Sequence, residues 1–190
     1  MTAAKKASKG RLAFVVQKHE ATSLHYDLRL EIGGVMPSWS VPKGPTLDSG
    51  VKRLALPTTD HLMGYRHFEG VIPKGSYGAG PVMIWDEGTY NPEVEEAKGV
   101  RREVVASKAE AERAARKSME EGNLKFRLYG KKLSGSFALV RTNGFAGKNT
   151  WLLIKHRDER SQPGYEAKDY DFSAVSNKSI AQIASQEELG

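Results

Sequence analysis

The sequence predicts a mainly β (α+β) protein, a compact β-barrel with flanking surface helices. Three observations carry this expectation. Short strand-like runs recur along the chain between Gly- and Pro-rich punctuation. A single strongly helical stretch interrupts them, so a parallel α/β sheet with alternating helices is not expected. The 190 residues, 39% of them hydrophobic, suffice for one sizeable core and fall short for two.

In chain order, residues 1–12 read as a basic, disordered arm: the first eighteen residues hold Lys5, Lys6, Lys9, Arg11 and Lys18 and no acid. The barrel domain is expected over 13–158, with strands at Phe14–Gln17, Leu24–Ile32, Ser38–Val41, Arg53–Pro57, Val82–Trp85, Leu124–Tyr129, Ser136–Arg141 and Trp151–Lys155. A helical insert is expected at about 92–121, rich in Ala, Glu, Lys and Arg, with Gly99 as a break and Gly122-Asn123 as its C-cap. Its apolar residues between Glu103 and Met119 are sparse and mostly Ala, which predicts a surface helix with a solvated charged face. Residues 159–190 read as a polar linker followed by a short helix.

Composition narrows the function classes. Lys and Arg number 29 against 23 Asp and Glu, a formal charge of +6 with its excess in the arm. Nucleic acid and an anionic membrane surface are the two obvious partners for such an arm, and a solvated tail that meets nothing is the third reading. The arm lacks an amphipathic face, which favours nucleic acid. With no cysteine, disulfides, thiolate metal sites and cysteine nucleophiles are excluded, and any metal must be held by His, Asp or Glu. No apolar run approaches the roughly eighteen residues of a membrane span, and no apolar segment follows the N-terminal charges. A soluble, cytoplasmic and nucleoid-associated protein is expected.

The most informative segment runs from Lys18 to Glu31. A strand over residues 24–31 places His25, Asp27, Arg29 and Glu31 on one face and Tyr26, Leu28 and Leu30 on the other. The bland reading is a half-buried strand with a wet charged face. The alternative is chemical: His25 and Asp27 direct a nitrogen and an oxygen at one ion, and His19 reaches it as a third ligand if Glu-Ala-Thr-Ser makes a turn. Arg29 then stands beside the open position, where a guanidinium holds phosphate oxygens bidentately.

Longer motifs add a resemblance. Phe14-Val-Val-Gln-Lys-His, Leu24-His-Tyr-Asp-Leu-Arg-Leu-Glu, Ser38-Trp-Ser-Val-Pro-Lys-Gly-Pro, Asp60-His61, Phe68-Glu-Gly-Val-Ile-Pro-Lys-Gly-Ser-Tyr-Gly-Ala-Gly and Trp151-Leu-Leu-Ile-Lys-His follow one another in order over about residues 12–158. Together they resemble the 3′-phosphoesterase domain of bacterial and archaeal DNA ligase D. The resemblance implies a barrel with a crescent groove, a Mn²⁺-type ion held by His19, His25 and Asp27, and phosphate-contacting positions at Arg29, Lys43, Arg53 and His61, with Tyr65 as a further active-site position. It implies DNA 3′ ends as substrate, primer-templates ending in a ribonucleotide or a phosphate, and ligase, polymerase or Ku-type end-joining proteins as partners, with no membrane. His61 is read either as a hydrogen-bond partner of a phosphoryl oxygen or as the acid that protonates the leaving group. His67 and His156 are outside the implied site and are read as surface or hydrogen-bonded histidines.

The sequence departs from that pattern where Thr59 stands in place of the usual glutamate, and only eighteen residues precede His19. The balance between phosphodiester cleavage and removal of a terminal 3′-phosphate is therefore open, and a catalytically weak DNA-end-binding module is the rival reading. The Gly70–Gly80 stretch lacks the spacing of a P-loop, and no Lys-x-Asp-Gly signature of nucleotidyl transfer occurs.

Overall fold

A computed structural model of the chain describes residues 11–144 and 149–186. Ten strands run β1 Leu12–Glu20, β2 Leu24–Leu30, β3 Val35–Val41, β4 Lys52–Leu62, β5 Gly70–Ile72, β6 Gly80–Ala97, β7 Val100–Glu103, β8 Asn123–Gly130, β9 Ser134–Arg141 and β10 Trp151–Lys155. All their pairings are antiparallel. The order β1-β2-β3-β4-β10-β9-β8-β6 closes on itself because β6 also pairs with β1, giving an eight-stranded barrel. Closure removes the free edges that an open sheet of these strands would carry. The mainly β expectation holds, with two short helices, α1 Lys108–Glu120 and α2 Ile180–Ser185.

Strand alternation fills the barrel. Leu12, Phe14 and Val16 of β1, Tyr26, Leu28 and Leu30 of β2, Trp39, Trp85, Phe126, Phe137, Leu139, Trp151 and Leu153 form one core. Residues between them in β1 and β2, including Gln17, His19, Asp27 and Arg29, therefore stand on the opposite face of the wall. Leu12, with no exposure, already belongs to the core, so the arm is shorter than expected; its residues up to Gly10 lie outside the described residues. Arg11 stacks over the Tyr129 ring at 4.0 Å.

Two expectations about local structure need correction. The helical insert expected at 92–121 is helical only from Lys108, where Ser107 caps the first turn by accepting from Glu110 N at 3.1 Å. Residues 92–103 instead continue β6, turn at Lys98-Gly99 and return as β7. Pairing overrides the helical propensity of Glu95, Glu96, Ala97 and Lys98: Pro92 stands opposite Phe126, and Glu93 is buried against Ser136 and Arg101. Gly99 adopts φ +77°, the left-handed conformation such a tight turn demands. Strands β5 and β7, three and four residues long, were too short to register as periodic runs.

The second correction concerns the C-terminal segment, which is no free linker. Thr46 donates to Tyr165 O at 2.8 Å, Trp85 Nε1 donates to Tyr170 O at 2.9 Å, Lys18 pairs with Asp171 at 2.7 Å, and Ala174 N donates to Ile84 O at 2.8 Å. Tyr165 and Tyr170 stack at 4.6 Å, and Ile180 and Ile183 of α2 join the main core. Residues 162–183 thus form a strap across the barrel.

Candidate active site

The β1–β2 hairpin builds the centre of the site. Its register sets His19 opposite His25 and Gln17 opposite Asp27, so the Glu20–Leu24 turn brings His19 back over the face that carries His25 and Asp27. The two imidazoles meet edge to face, 5.0 Å between centroids, and one ligand atom from each of His19, His25 and Asp27 lies within 4.8 Å of the others. Ligands roughly 2 Å from one ion stand about 3–4 Å apart, so a small rotamer adjustment closes the set.

The hydrogen bonds suit that role. His19 Nε2 donates to Gly78 O at 2.7 Å and His25 Nδ1 donates to Ser23 O at 3.0 Å, because a carbonyl only accepts. Each ring thereby keeps one bare nitrogen, Nδ1 of His19 and Nε2 of His25, the latter 3.4 Å from Asp27 Oδ2. Fixing a ligand's tautomer through a backbone carbonyl is the usual support of a metal-bound histidine. Burial pushes the His19 imidazole below its ordinary range, while the Asp27 carboxylate raises that of His25.

Arg29, 3% exposed, is held on three sides: Nη2 donates to Asp27 Oδ2 at 3.1 Å, Nε to Gln17 Oε1 at 2.7 Å, and its plane lies 5.1 Å from the Tyr65 ring. Burial lowers its pKa, and Asp27 opposes the shift. The fully buried Gln17 went unrecognised in the sequence. Its amide donates to Tyr65 O at 2.9 Å and Phe68 O at 3.0 Å, tying the 3-10 turn Met63–His67 to the guanidinium. The available signal was a glutamine directly after the apolar run Leu12–Val16 and directly before Lys18-His19.

His61 Nδ1 stands between an obligate donor, Arg29 Nη1 at 3.1 Å, and an obligate acceptor, Thr59 O at 2.8 Å. The two contacts need opposite tautomers. The shorter carbonyl contact favours a proton on Nδ1, which leaves Nε2 as the acceptor. Burial, then the Arg29 charge, holds the ring below the ordinary histidine range. Thr59 makes this contact with its main chain, so replacing the usual glutamate side chain leaves it intact. Tyr65 stacks on Phe68 at 5.5 Å and meets the His61 ring at a tilt at 4.9 Å, and burial raises its phenol pKa.

A hollow of about 380 Å³ brings His19, His25, Asp27, Arg29, His61 and Tyr65 together, with Ser40, Thr58 and Tyr77, which sequence reasoning had not singled out, among its other walls. Lys43 and Arg53 are elsewhere. They line a larger depression of about 710 Å³ with Lys52, Leu54 and Leu152. Lys43 sits in the exposed turn that ends with Gly44 N donating to Val41 O at 3.1 Å. Arg53 pairs opposite the core residue Leu153 and reaches Glu166 at 3.2 Å. His67 is exposed and His156 half-buried.

Fold and site together define a β-barrel protein with a candidate His-His-Asp metal centre and a buried arginine on one wall. The chain belongs to the family described as DNA Ligase D 3′-phosphoesterase domain, which matches residues 17–141. It is 44% identical over 154 residues to the multifunctional non-homologous end joining protein LigD of Pseudomonas aeruginosa, a match covering 81% of this chain and 16% of that protein. It is 39% identical over 153 residues to the multifunctional non-homologous end joining DNA repair protein LigD of Mycobacterium tuberculosis, covering 80% and 17%. The LigD of Mycolicibacterium smegmatis is 38% identical over 162 residues, covering 85% and 18%. The chain thus spans under a fifth of these relatives' length. Membership in a phosphoesterase family implies a hydrolase. No helix among the described residues is long and apolar enough to cross a membrane.

Proposed function

We propose that the chain is a divalent-metal-dependent phosphoesterase that trims DNA 3′ ends before strand joining, removing a terminal ribonucleoside by phosphodiester cleavage and a 3′-phosphate. The observation that carries this reading is the convergence of His19, His25 and Asp27 with Arg29 and His61 in one hollow. Mn²⁺ is the ion we assign from the family resemblance; when bound, it supplies charge neutralisation at a phosphoryl oxygen and lowers the pKa of water.

The chain's own residues do the rest. Arg29, fixed by Asp27 and Gln17, offers its remaining N–H groups to a phosphate oxygen without reorganising. His61 Nε2 faces the same phosphate, where a neutral ring accepts a proton from a water or hydroxyl. Tyr65 orients both through its ring, which the guanidinium of Arg29 overlies and the His61 imidazole meets at a tilt. Lys43, Arg53 and the basic arm supply further cationic contacts along the strand. Ligase, polymerase or Ku-type end-joining proteins are the partners this reading implies, in a cytoplasmic, nucleoid-associated setting.

The test is incubation with Mn²⁺ and a 5′-labelled primer-template ending in one 3′-ribonucleotide, beside the same primer ending in 3′-phosphate, each with an EDTA control. Conversion of the first to a 3′-phosphate or 3′-hydroxyl end establishes the diesterase, and conversion of the second establishes the monoesterase. No conversion with any divalent metal, alongside retained DNA-end binding, favours the binding module that Thr59 suggests.

Binding should also weaken steeply with salt. With roughly four phosphate contacts, raising salt from 50 to 200 mM lowers affinity on the order of 100-fold, since each contact contributes about 0.9 to the slope of log K against log salt. A flat response in fluorescence anisotropy would argue against a cation-lined path.

A further inference from the structure

Tyr77 is fully exposed at a relative accessibility of 105%, yet it lines the hollow that holds His19, His25, Asp27 and Arg29. Among the described residues it stacks on no ring and takes part in no hydrogen bond or ion pair. The other aromatic ring of the hollow is committed: Tyr65 is occupied by Phe68, His61 and Arg29. Tyr77 is therefore the aromatic surface at this site with both faces open.

Its backbone is not loose. Ser76 N donates to Pro73 O and Ala79 N to Ser76 O, both at 3.2 Å, making two successive turns with Gly75 at φ +87° and Gly78 at φ +71°. Next along the chain, Gly80 at φ +126° passes so close to the β1–β2 turn that a Cβ would sit 2.2 Å from Glu20 O. Gly78 O accepts from His19 Nε2, so the residue after Tyr77 is bonded directly to a candidate metal ligand. The loop thus fixes the backbone from which an aromatic ring projects at the rim, and that ring contributes nothing to the core.

The polar groups of the hollow suit a phosphate and leave a nucleobase unserved. A flat aromatic face on the rim, one residue from the carbonyl that holds His19, answers that need, because stacking tolerates any base. The terminal base has a neighbour on one side only and is the cheapest to unstack from a duplex. We propose that Tyr77 stacks on the nucleobase of the 3′-terminal nucleotide and positions that end over the metal site. This rests on the 3′-end phosphoesterase reading and adds a positioning residue that acts by binding rather than by chemistry.

The test compares wild type, Tyr77→Ala and Tyr77→Phe on a primer-template ending in a 3′-ribonucleotide and on the same primer ending in an abasic ribose. KM and kcat are measured in Mn²⁺, and Kd in EDTA by anisotropy. Tyr77→Ala is expected to raise KM and Kd about tenfold on the base-bearing end with kcat within about twofold, Tyr77→Phe to restore both, and the abasic end to show no difference. Equal losses on both ends, or unchanged KM and Kd, overturn the proposal. If wild type cleaves neither end, the phosphoesterase reading fails on its own, and the two Kd comparisons still decide the stacking.

Discussion

His25→Ala abolishes cleavage of a 3′-ribonucleotide end, with a fall on the order of 100- to 1,000-fold or more, the scale of losing one preorganised group at a reacting phosphate. His25 offers one of three candidate ligands and stands 3.4 Å from Asp27, which in turn holds Arg29. Removing it takes away a candidate metal ligand and a neighbour of the carboxylate that aims the guanidinium. Metal affinity, titrated with Mn²⁺ in the absence of DNA, is expected to fall along with turnover. Lys52→Ala is the control: this exposed side chain lines the other depression, so cleavage stays within about twofold. Equal losses in the two variants would sink the assignment of the His-His-Asp centre.

Asp86→Ala unfolds the protein more readily by about 4 kcal/mol. Asp86 has no exposure, and its carboxylate accepts Lys131 N at 2.8 Å, Lys132 N at 3.1 Å and Leu133 N at 2.8 Å, closing the turn between β8 and β9. Truncation leaves these three donors without their acceptor, each costing about 1–3 kcal/mol where burial is complete. Burial pushes the carboxyl pKa up, and the backbone N–H groups pull the other way. For a chain of this size the thermal midpoint falls by roughly 8–16 °C. Asp86→Asn keeps one accepting oxygen and falls between. Glu87→Ala, one residue on and half-exposed, shifts stability by less than about 0.5 kcal/mol. A midpoint in Asp86→Ala as high as in Glu87→Ala would show that the turn does not depend on the carboxylate.

The parts of the fold and site that could be read in the sequence are those set by local rules. Period-two alternation over residues 24–31 gave the two faces of β2, and a hairpin needs only a short turn to bring His19 beside His25. Placements that depend on distant pairing were not legible. Lys43 and Arg53 come from the family resemblance alone, and it is the pairing of β4 with β10 that sets Arg53 opposite Leu153 and within reach of Glu166. The run from Pro92 to Lys98 has helical composition and becomes a strand because β8 and β7 flank it. Gln17 and Tyr77 escaped notice for opposite reasons: one is a polar residue buried where an apolar run gives way to Lys18 and His19, the other an ordinary loop tyrosine that the fold leaves uncovered.

The strand β10 marks a difference between two kinds of boundary. The family match stops at Arg141, yet the ring is joined only when Trp151–Lys155 lies between β4 and β9. Beyond it, the strap anchors on Lys18, immediately before His19, and on Trp85. A fragment cut at Arg141 would therefore be an open sheet with two raw edges and an uncovered Trp85. The stretch that the family match spans is smaller than the part that closes the barrel, and any excision has to follow the second.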